Sequence, residues 1–162
     1  MPDQTTQLFC LLRKKWIAAT PEEKIRQNFV LSLTQQLGYP LGCLAMEKSL
    51  SQMPHLQHLS QSSLPNRRTD IIVFAQGLHP HYAYYPLLLI ECKAVPLNAK
   101  VMRQIVGYNR YLQAYFLALV NQNENLFGWY DADLNDFSFR AGVPPYVVLL
   151  QQAQSLLQPI PR

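Results

Sequence analysis

Two acidic residues and a lysine stand at the ends of two strongly apolar segments. The segment "RRTDIIVFAQ" starts its apolar run directly after Asp70, and "PLLLIECKA" ends its run at Glu91 and Lys93. Side chains alternate along a strand, so Glu91 and Lys93 lie on one face and Cys92 on the other. Charged residues seldom enter an otherwise buried strand unless they are paired or functional. These residues are therefore the first candidates for chemistry.

The two apolar segments are predicted to form an antiparallel hairpin that brings these charges together. The intervening "GLHPHYAYY" contains Gly77 and Pro80, which suit a reversal of the chain. If the hairpin is symmetric about residues 79–81, the numbers of paired residues sum to about 161, which sets Asp70 opposite Glu91. In a regular pair their Cβ atoms lie roughly 4.5 to 5.5 Å apart.

Two adjacent carboxylates repel each other unless a proton, a cation or a basic side chain lies between them. Mg²⁺ takes oxygen ligands and keeps several waters, so Asp70 and Glu91 are candidate ligands and Glu47 can add a third oxygen. A water acidified by the metal and oriented by Lys93 is a competent nucleophile toward a phosphodiester. The structural alternative is that Glu-x-Lys is a common tripeptide and that an Asp at a strand start is often only a turn cap.

The first half of the chain supplies one clear helix and a less regular continuation. "TPEEKIRQNFVLSLTQQLGYP" predicts an amphipathic helix that is capped by Thr20, has Pro21 at its first position, and ends near Gly38. "LGCLAMEKSL" is interpreted as a first strand carrying Glu47, with a helical continuation as the alternative. "SQMPHLQHLSQSSLPN" lacks apolar periodicity and predicts an irregular surface connection.

The second half predicts a helix followed by three strands. "LNAKVMRQIVGYNRYLQAY" has apolar residues at helical spacing, so this helix is expected to pack on the sheet, and Gly107 inside it suggests close packing there. "FLALVNQ", "NLFGWYD" and "DFSFR" predict short strands. "PPYVVLLQQAQSLLQPIPR" predicts a short strand that runs into a helix with a frayed tail.

Length, charge and cysteine usage limit the classes of protein. The chain has 162 residues, 49% of them hydrophobic, which suits one domain with a substantial core. Twelve basic and six acidic residues precede Tyr111, a net charge of +6, whereas two basic and four acidic residues make up the rest, a net charge of −2. A basic first part suits a polyanionic partner.

The three cysteines form no CxxC pair, so neither a disulfide framework nor a thiolate zinc site is predicted. No signal peptide and no apolar run near the roughly 20 residues of a membrane span is found. A cytoplasmic protein without membrane contact is expected.

Taken together, these segments resemble the PD-(D/E)XK nuclease superfamily, and more closely the N-terminal nuclease domain of type I restriction enzyme R (HsdR) subunits. The resemblance covers about residues 15–120. One departure is Thr69, which stands where the superfamily has a proline. The matching blocks are the helix start at residues 20–23 with Arg26-Gln27, then Glu47-Lys48, "RRTDIIVF", "LLLIECKA", and the QxxxY motif of Gln104 and Tyr108.

The resemblance implies a restriction-endonuclease-like α/β fold with a four-stranded mixed sheet flanked by helices. It implies a single domain over residues 1–162, with a core at about 15–142. It further implies a Mg²⁺-dependent catalytic site at Asp70, Glu91, Lys93 and Gln104, in which Mn²⁺ is expected to substitute. Glu47 matches an upstream acidic position, and Gln104 and Tyr108 match a motif that contacts DNA or supports the site.

The expected function is that of a Mg²⁺-dependent DNA endonuclease. Arg67 and Arg68 at the mouth of the site, with Lys100 and Arg103 along the second helix, are candidate DNA contacts. The helicase motor of R subunits and a Walker A sequence are both missing from the chain, so ATP is not predicted. A homodimer or a separate restriction or helicase subunit is a candidate partner. The alternatives are a non-catalytic DNA-binding or assembly module and a structural domain with a buried ion pair.

Overall fold

The computed structural model describes residues 6–157. Its strands and helices, in chain order, are β1 (Gln7–Cys10), β2 (Lys15–Ala18), α1 (Pro21–Gln35), β3 (Leu44–Met46), β4 (Ile71–Gln76), β5 (Tyr84–Cys92), α2 (Ala99–Leu112), β6 (Phe116–Val120), β7 (Asn125–Asp131), β8 (Asp136–Ala141) and α3 (Tyr146–Leu157).

The main sheet has six strands in the order β3-β4-β5-β6-β7-β8. The pair β5–β6 is parallel and the other neighbours are antiparallel. Helix α2 makes the crossover that a parallel pair requires. This sheet corrects the four strands implied by the resemblance. Six of the seven segments that the sequence pattern predicts as strands join it, and β3 and β8 form its two edges.

The β1–β2 hairpin forms a separate two-stranded sheet, which the sequence analysis did not predict. Its short strands carry only four residues each, so period-two alternation has little length in which to show.

Helix α1 confirms its predicted start. The Thr20 side chain accepts a hydrogen bond from the backbone N–H of Glu23, and Pro21 occupies the first turn. Its buried side chains include Ile25, Phe29 and Leu33, whose spacing of four residues aligns them along the face turned to the sheet.

The predicted register of the central hairpin is also confirmed. Ile71 pairs with Ile90 and Val73 pairs with Leu88, so paired numbers sum to 161 until an irregularity after Val73. Eight of the nine residues of β5 are buried, because helices cover both faces of the sheet. The next step of the same register, just beyond β4, places Asp70 across from Glu91.

The connection between β3 and β4 is irregular and residues 57–63 are exposed, as predicted, but its first part is buried. Leu50 and Met53 are fully buried, and Leu56 is nearly so. These side chains join α2 in the second core cluster, which covers one face of the sheet. Apolar residues in short turns escape periodicity analysis because their spacing follows neither 2 nor 3.6 residues.

Two further expectations near the second and third helices are wrong. Residues 146–157 form a helix directly, without a preceding strand, because Pro144 and Pro145 have the backbone angle of a helix start. A Cβ built on Gly107 meets nothing within 4 Å, so close packing does not explain this glycine. The predicted frayed tail at 158–162 lies outside the described residues.

Within residues 6–157, none of the helices combines the length and the apolar character needed to cross a membrane.

Candidate active site

Asp70 and Glu91 meet where β4 begins and β5 ends. The backbone N–H of Cys92 donates a hydrogen bond to Asp70 Oδ2 at 2.8 Å, which fixes the aspartate against β5. Glu91 is only 4% exposed, and its Oε1 atom has no hydrogen-bond partner in the described part of the chain. Burial raises the pKa of Glu91, and the nearby charge of Asp70 raises it further. The site thus holds two carboxyl groups that disfavour simultaneous ionisation.

Two arginines partly neutralise this pair. Arg26 Nε lies 3.2 Å from Asp70 Oδ1, and Arg26 Nη1 lies 2.6 Å from Glu23 Oε1. Arg67 Nη2 lies 3.6 Å from Glu91 Oε2. Burial lowers the pKa of Arg26, but the charges of Asp70 and Glu23 outweigh burial and raise it. Arg26 therefore remains a cation in the site.

Lys93 follows β5 directly and is half-buried. Its backbone N–H donates to the carbonyl of Val120 at 2.8 Å, which continues the pairing with β6. The alternation of side chains sets Lys93 on the Glu91 side, and its charge lowers the pKa of Glu91 against the larger effect of burial. No carboxylate of residues 6–157 forms a salt bridge with Lys93.

Glu47 follows β3 in a left-handed backbone conformation, with φ of 55°. Its backbone N–H donates to the carbonyl of Asp70, but its carboxylate lies 3.8 to 3.9 Å from Arg13, Arg26 and Arg68. The described residues contain no group of three His, Cys, Asp or Glu side chains arranged to hold a metal ion. Glu47 as a third metal ligand stays a prediction.

Thr69, where the superfamily has a proline, contributes to the pairing of the two site segments. Its backbone N–H and its hydroxyl both donate to the carbonyl of Lys48, at 2.8 and 3.1 Å. A proline has no N–H and cannot make the first bond. The threonine thereby ties the segment before β4 to the segment after β3.

The QxxxY motif lies on α2 beside the acidic pair. Tyr108 is 5% exposed, its hydroxyl donates to the carbonyl of Arg67 at 3.3 Å, and the Arg67 guanidinium lies 5.0 Å from its ring centroid. Burial, followed by the charge of Glu91, raises the pKa of Tyr108 to about 12. Tyr108 therefore orients Arg67 toward Glu91. Gln104, one turn earlier, is exposed, as are Lys100 and Arg103.

Arg13 and Glu23 belong to the same cluster, although the sequence analysis did not assign them to it. Arg13 Nη2 donates to both carboxylate oxygens of Glu23, at 2.8 and 2.7 Å. Burial raises the pKa of Glu23, but the bonds from Arg13 and the charge of Arg26 outweigh burial and lower it. Glu23 was noted only as part of a helix cap. The basic run that begins at Arg13 is the feature of the sequence that could have pointed to this residue as a partner for the acidic cluster.

The donor set fits a hard divalent cation. Asp70 and Glu91 offer oxygen ligands side by side, and among residues 6–157 no donor reaches the buried Oε1 of Glu91. Mg²⁺ binds proteins through one or two carboxylates while keeping several waters. A pair of carboxylates of this kind fits that mode of binding.

The fold and the site together define a class of protein. It is an α/β domain whose mixed sheet brings an acidic pair, a lysine and several arginines to one end of its central strands. Residues 21–144 match the family model described as the type I restriction enzyme R protein N terminus (HSDR_N). This chain belongs to that family, which confirms the resemblance drawn from its motifs. Comparisons with curated proteins and with solved structures gave no match.

Proposed function

We propose that this chain is a Mg²⁺-dependent endonuclease that hydrolyses phosphodiester bonds of DNA. The observation that carries the proposal is the adjacent pair of Asp70 and Glu91, in which one buried carboxylate oxygen of Glu91 has no partner in the described part of the chain. Membership in a restriction enzyme family supports DNA as the substrate.

Asp70 and Glu91 would hold the cation, which we expect to be Mg²⁺, with Mn²⁺ able to substitute. The bound cation would polarise the scissile phosphate and lower the pKa of the attacking water. Because carboxylates bind metals in their ionised form and burial raises the pKa of Glu91, metal binding at this pair would be accompanied by proton release.

The remaining residues orient the substrate and stabilise charge. Lys93, on the Glu91 side of β5, orients the water and stabilises the negative charge that develops on the phosphate oxygens. Arg67 and Arg68 have side chains 40% and 71% exposed, so their guanidinium groups can reach DNA phosphates. Gln104, on α2, would contact the same DNA strand. Lys100 and Arg103 extend this basic surface along the helix.

The test is cleavage of supercoiled plasmid with Mg²⁺ or Mn²⁺. We expect nicked or linear product from the wild type, and none from Asp70→Asn, from Lys93→Met or in EDTA. Asp133→Asn is the matched control, because Asp133 is exposed in the turn between β7 and β8. Circular dichroism checks that each variant is folded. Unchanged cleavage by Asp70→Asn would refute the assignment.

A second candidate function is a non-catalytic DNA-binding or assembly module. It is favoured by the ion pairs of Arg26 with Asp70 and of Arg67 with Glu91, which give both carboxylates a cationic partner without a metal. It predicts salt-sensitive DNA binding, no metal-dependent product, and no heat of Mg²⁺ binding in calorimetry.

The nuclease proposal also bears on assembly. A small domain that cuts both strands of a duplex needs two copies or a partner subunit, so a homodimer or a separate restriction or helicase subunit stays a prediction. Mass photometry with and without DNA tests the homodimer.

A further inference from the structure

The β1–β2 hairpin presents two chemically different faces. On its inner face, Cys10 is fully buried and Ile17 packs against the larger core cluster. On its outer face, the cross-strand partners Phe9 and Trp16 form an edge-to-face pair with ring centroids 5.5 Å apart. Trp16 is 65% exposed and Phe9 is 45% exposed. An indole left in water adds little to stability, so this pair is available for a ligand.

The turn of the hairpin is basic. Arg13, Lys14 and Lys15 follow one another, and Lys14 and Lys15 are both exposed. No carboxylate among residues 6–157 lies within salt-bridge distance of either lysine. Lys15 pairs across the hairpin with Cys10 and therefore starts from the inner face, whereas Lys14 lies in the turn. An exposed lysine in the turn of a hairpin that carries two exposed rings matches a polyanion with flat heterocycles.

A continuous series of ion pairs fixes this hairpin relative to the acidic pair. Arg13 binds Glu23 through two hydrogen bonds, Glu23 accepts from Arg26, and Arg26 contacts Asp70. The hairpin precedes residues 21–144, the segment that matches the family model. The hairpin therefore lies outside the matched region, and side chains of the site hold it in place.

We propose that the outer face of the β1–β2 hairpin binds unpaired nucleotides of the DNA substrate. Trp16 and Phe9 stack on bases, and Lys14, in the turn, contacts a flanking phosphate. Duplex DNA buries its base faces in the stack, whereas an unpaired base offers its face to an indole. The hairpin therefore selects single-stranded or tailed DNA over blunt duplex. This inference rests on the proposed function, because it assumes DNA as the substrate.

The two tryptophans of the chain permit a direct test. In the Trp129→Phe protein, Trp16 is the single tryptophan, and we expect oligothymidylate to quench its fluorescence in EDTA, where cleavage does not occur. Trp16→Ala should weaken single-strand binding by about 5- to 100-fold, the loss of one stacked base. Trp16→Phe should retain most of the affinity. The variant Lys14→Gln should reduce the slope of log K against log salt by about 0.7.

Tyr130→Ala is the matched control, since Tyr130 is a 50% exposed aromatic residue on β7. It should bind single strands like the wild type. If Trp16→Ala binds single-stranded DNA as tightly as the wild type while cleavage still depends on Asp70, the hairpin inference is overturned and the proposed function stands. Absence of both binding and cleavage in the wild type would overturn the proposed function as well. A changed sedimentation coefficient of Trp16→Ala with unchanged DNA affinity would assign this face to self-association and overturn the inference.

Discussion

The carboxyl group of Glu91 should make the stability of the metal-free protein fall as the pH rises. Burial, followed by the charge of Asp70, raises the pKa of Glu91 from an ordinary 4.5 to about 8. A group whose pKa is higher in the folded state binds its proton more tightly there. Its contribution to stability is fully present below pH 4.5 and is lost as the pH rises through about 8.

The size of this effect follows from the two pKa values. They differ by about 3.5 pH units, and each unit corresponds to about 1.36 kcal/mol, so the upper bound is about 5 kcal/mol. Because Glu91 titrates together with its acidic neighbour, we expect the unfolding free energy to fall by about 3 to 5 kcal/mol over this pH range. Glu91→Gln keeps the shape of the side chain but cannot ionise. The variant should therefore gain stability relative to the wild type as the pH rises.

The assay is urea unfolding of both proteins in EDTA from about pH 5 to about pH 8.5, followed by circular dichroism. Other titrating groups are common to both proteins and largely cancel in the difference. Mg²⁺ should restore the stability of the wild type at the alkaline end and leave Glu91→Gln unchanged, since an amide is a weak ligand for the cation. If the unfolding free energies of the wild type and Glu91→Gln differ by the same amount at every pH, within about 0.5 kcal/mol, the reasoning is refuted. That result would show that the ion pair with Arg67 outweighs burial.

Five further substitutions test the structural argument by urea or thermal unfolding. Arg26→Met leaves two carboxylates with fewer cationic partners and should cost about 3 kcal/mol. Arg68→Ala, whose side chain is 71% exposed, should change stability by less than about 0.5 kcal/mol, and equal losses in the two would contradict the burial argument. Thr20→Ala removes the helix cap and should cost about 1 kcal/mol, so an unchanged midpoint would contradict the cap's role. Gly107→Ala should stabilise the helix by about 0.5 to 1 kcal/mol because its Cβ has space. Gly128→Ala should destabilise, since its Cβ would lie 2.6 Å from a phenylalanine ring on β8.

The sequence by itself determined the features that depend on local chemistry. A capping threonine and a proline set the start of α1 at Pro21. A reversal near residues 79–81 set the register of β4 and β5, and this register brings Asp70 to Glu91. Turn geometry and strand period act over a few residues, so they can be read along the chain.

Only the tertiary structure decided which distant residues complete the site. Arg26 and Asp70 are separated by 44 residues, and they meet because α1 buries its apolar face against the sheet. The ion pair of Arg13 with Glu23 depends in the same way on where the β1–β2 hairpin packs. No local pattern encodes such contacts, because the total burial of apolar surface and the cost of removing charges from water select the packing of whole elements.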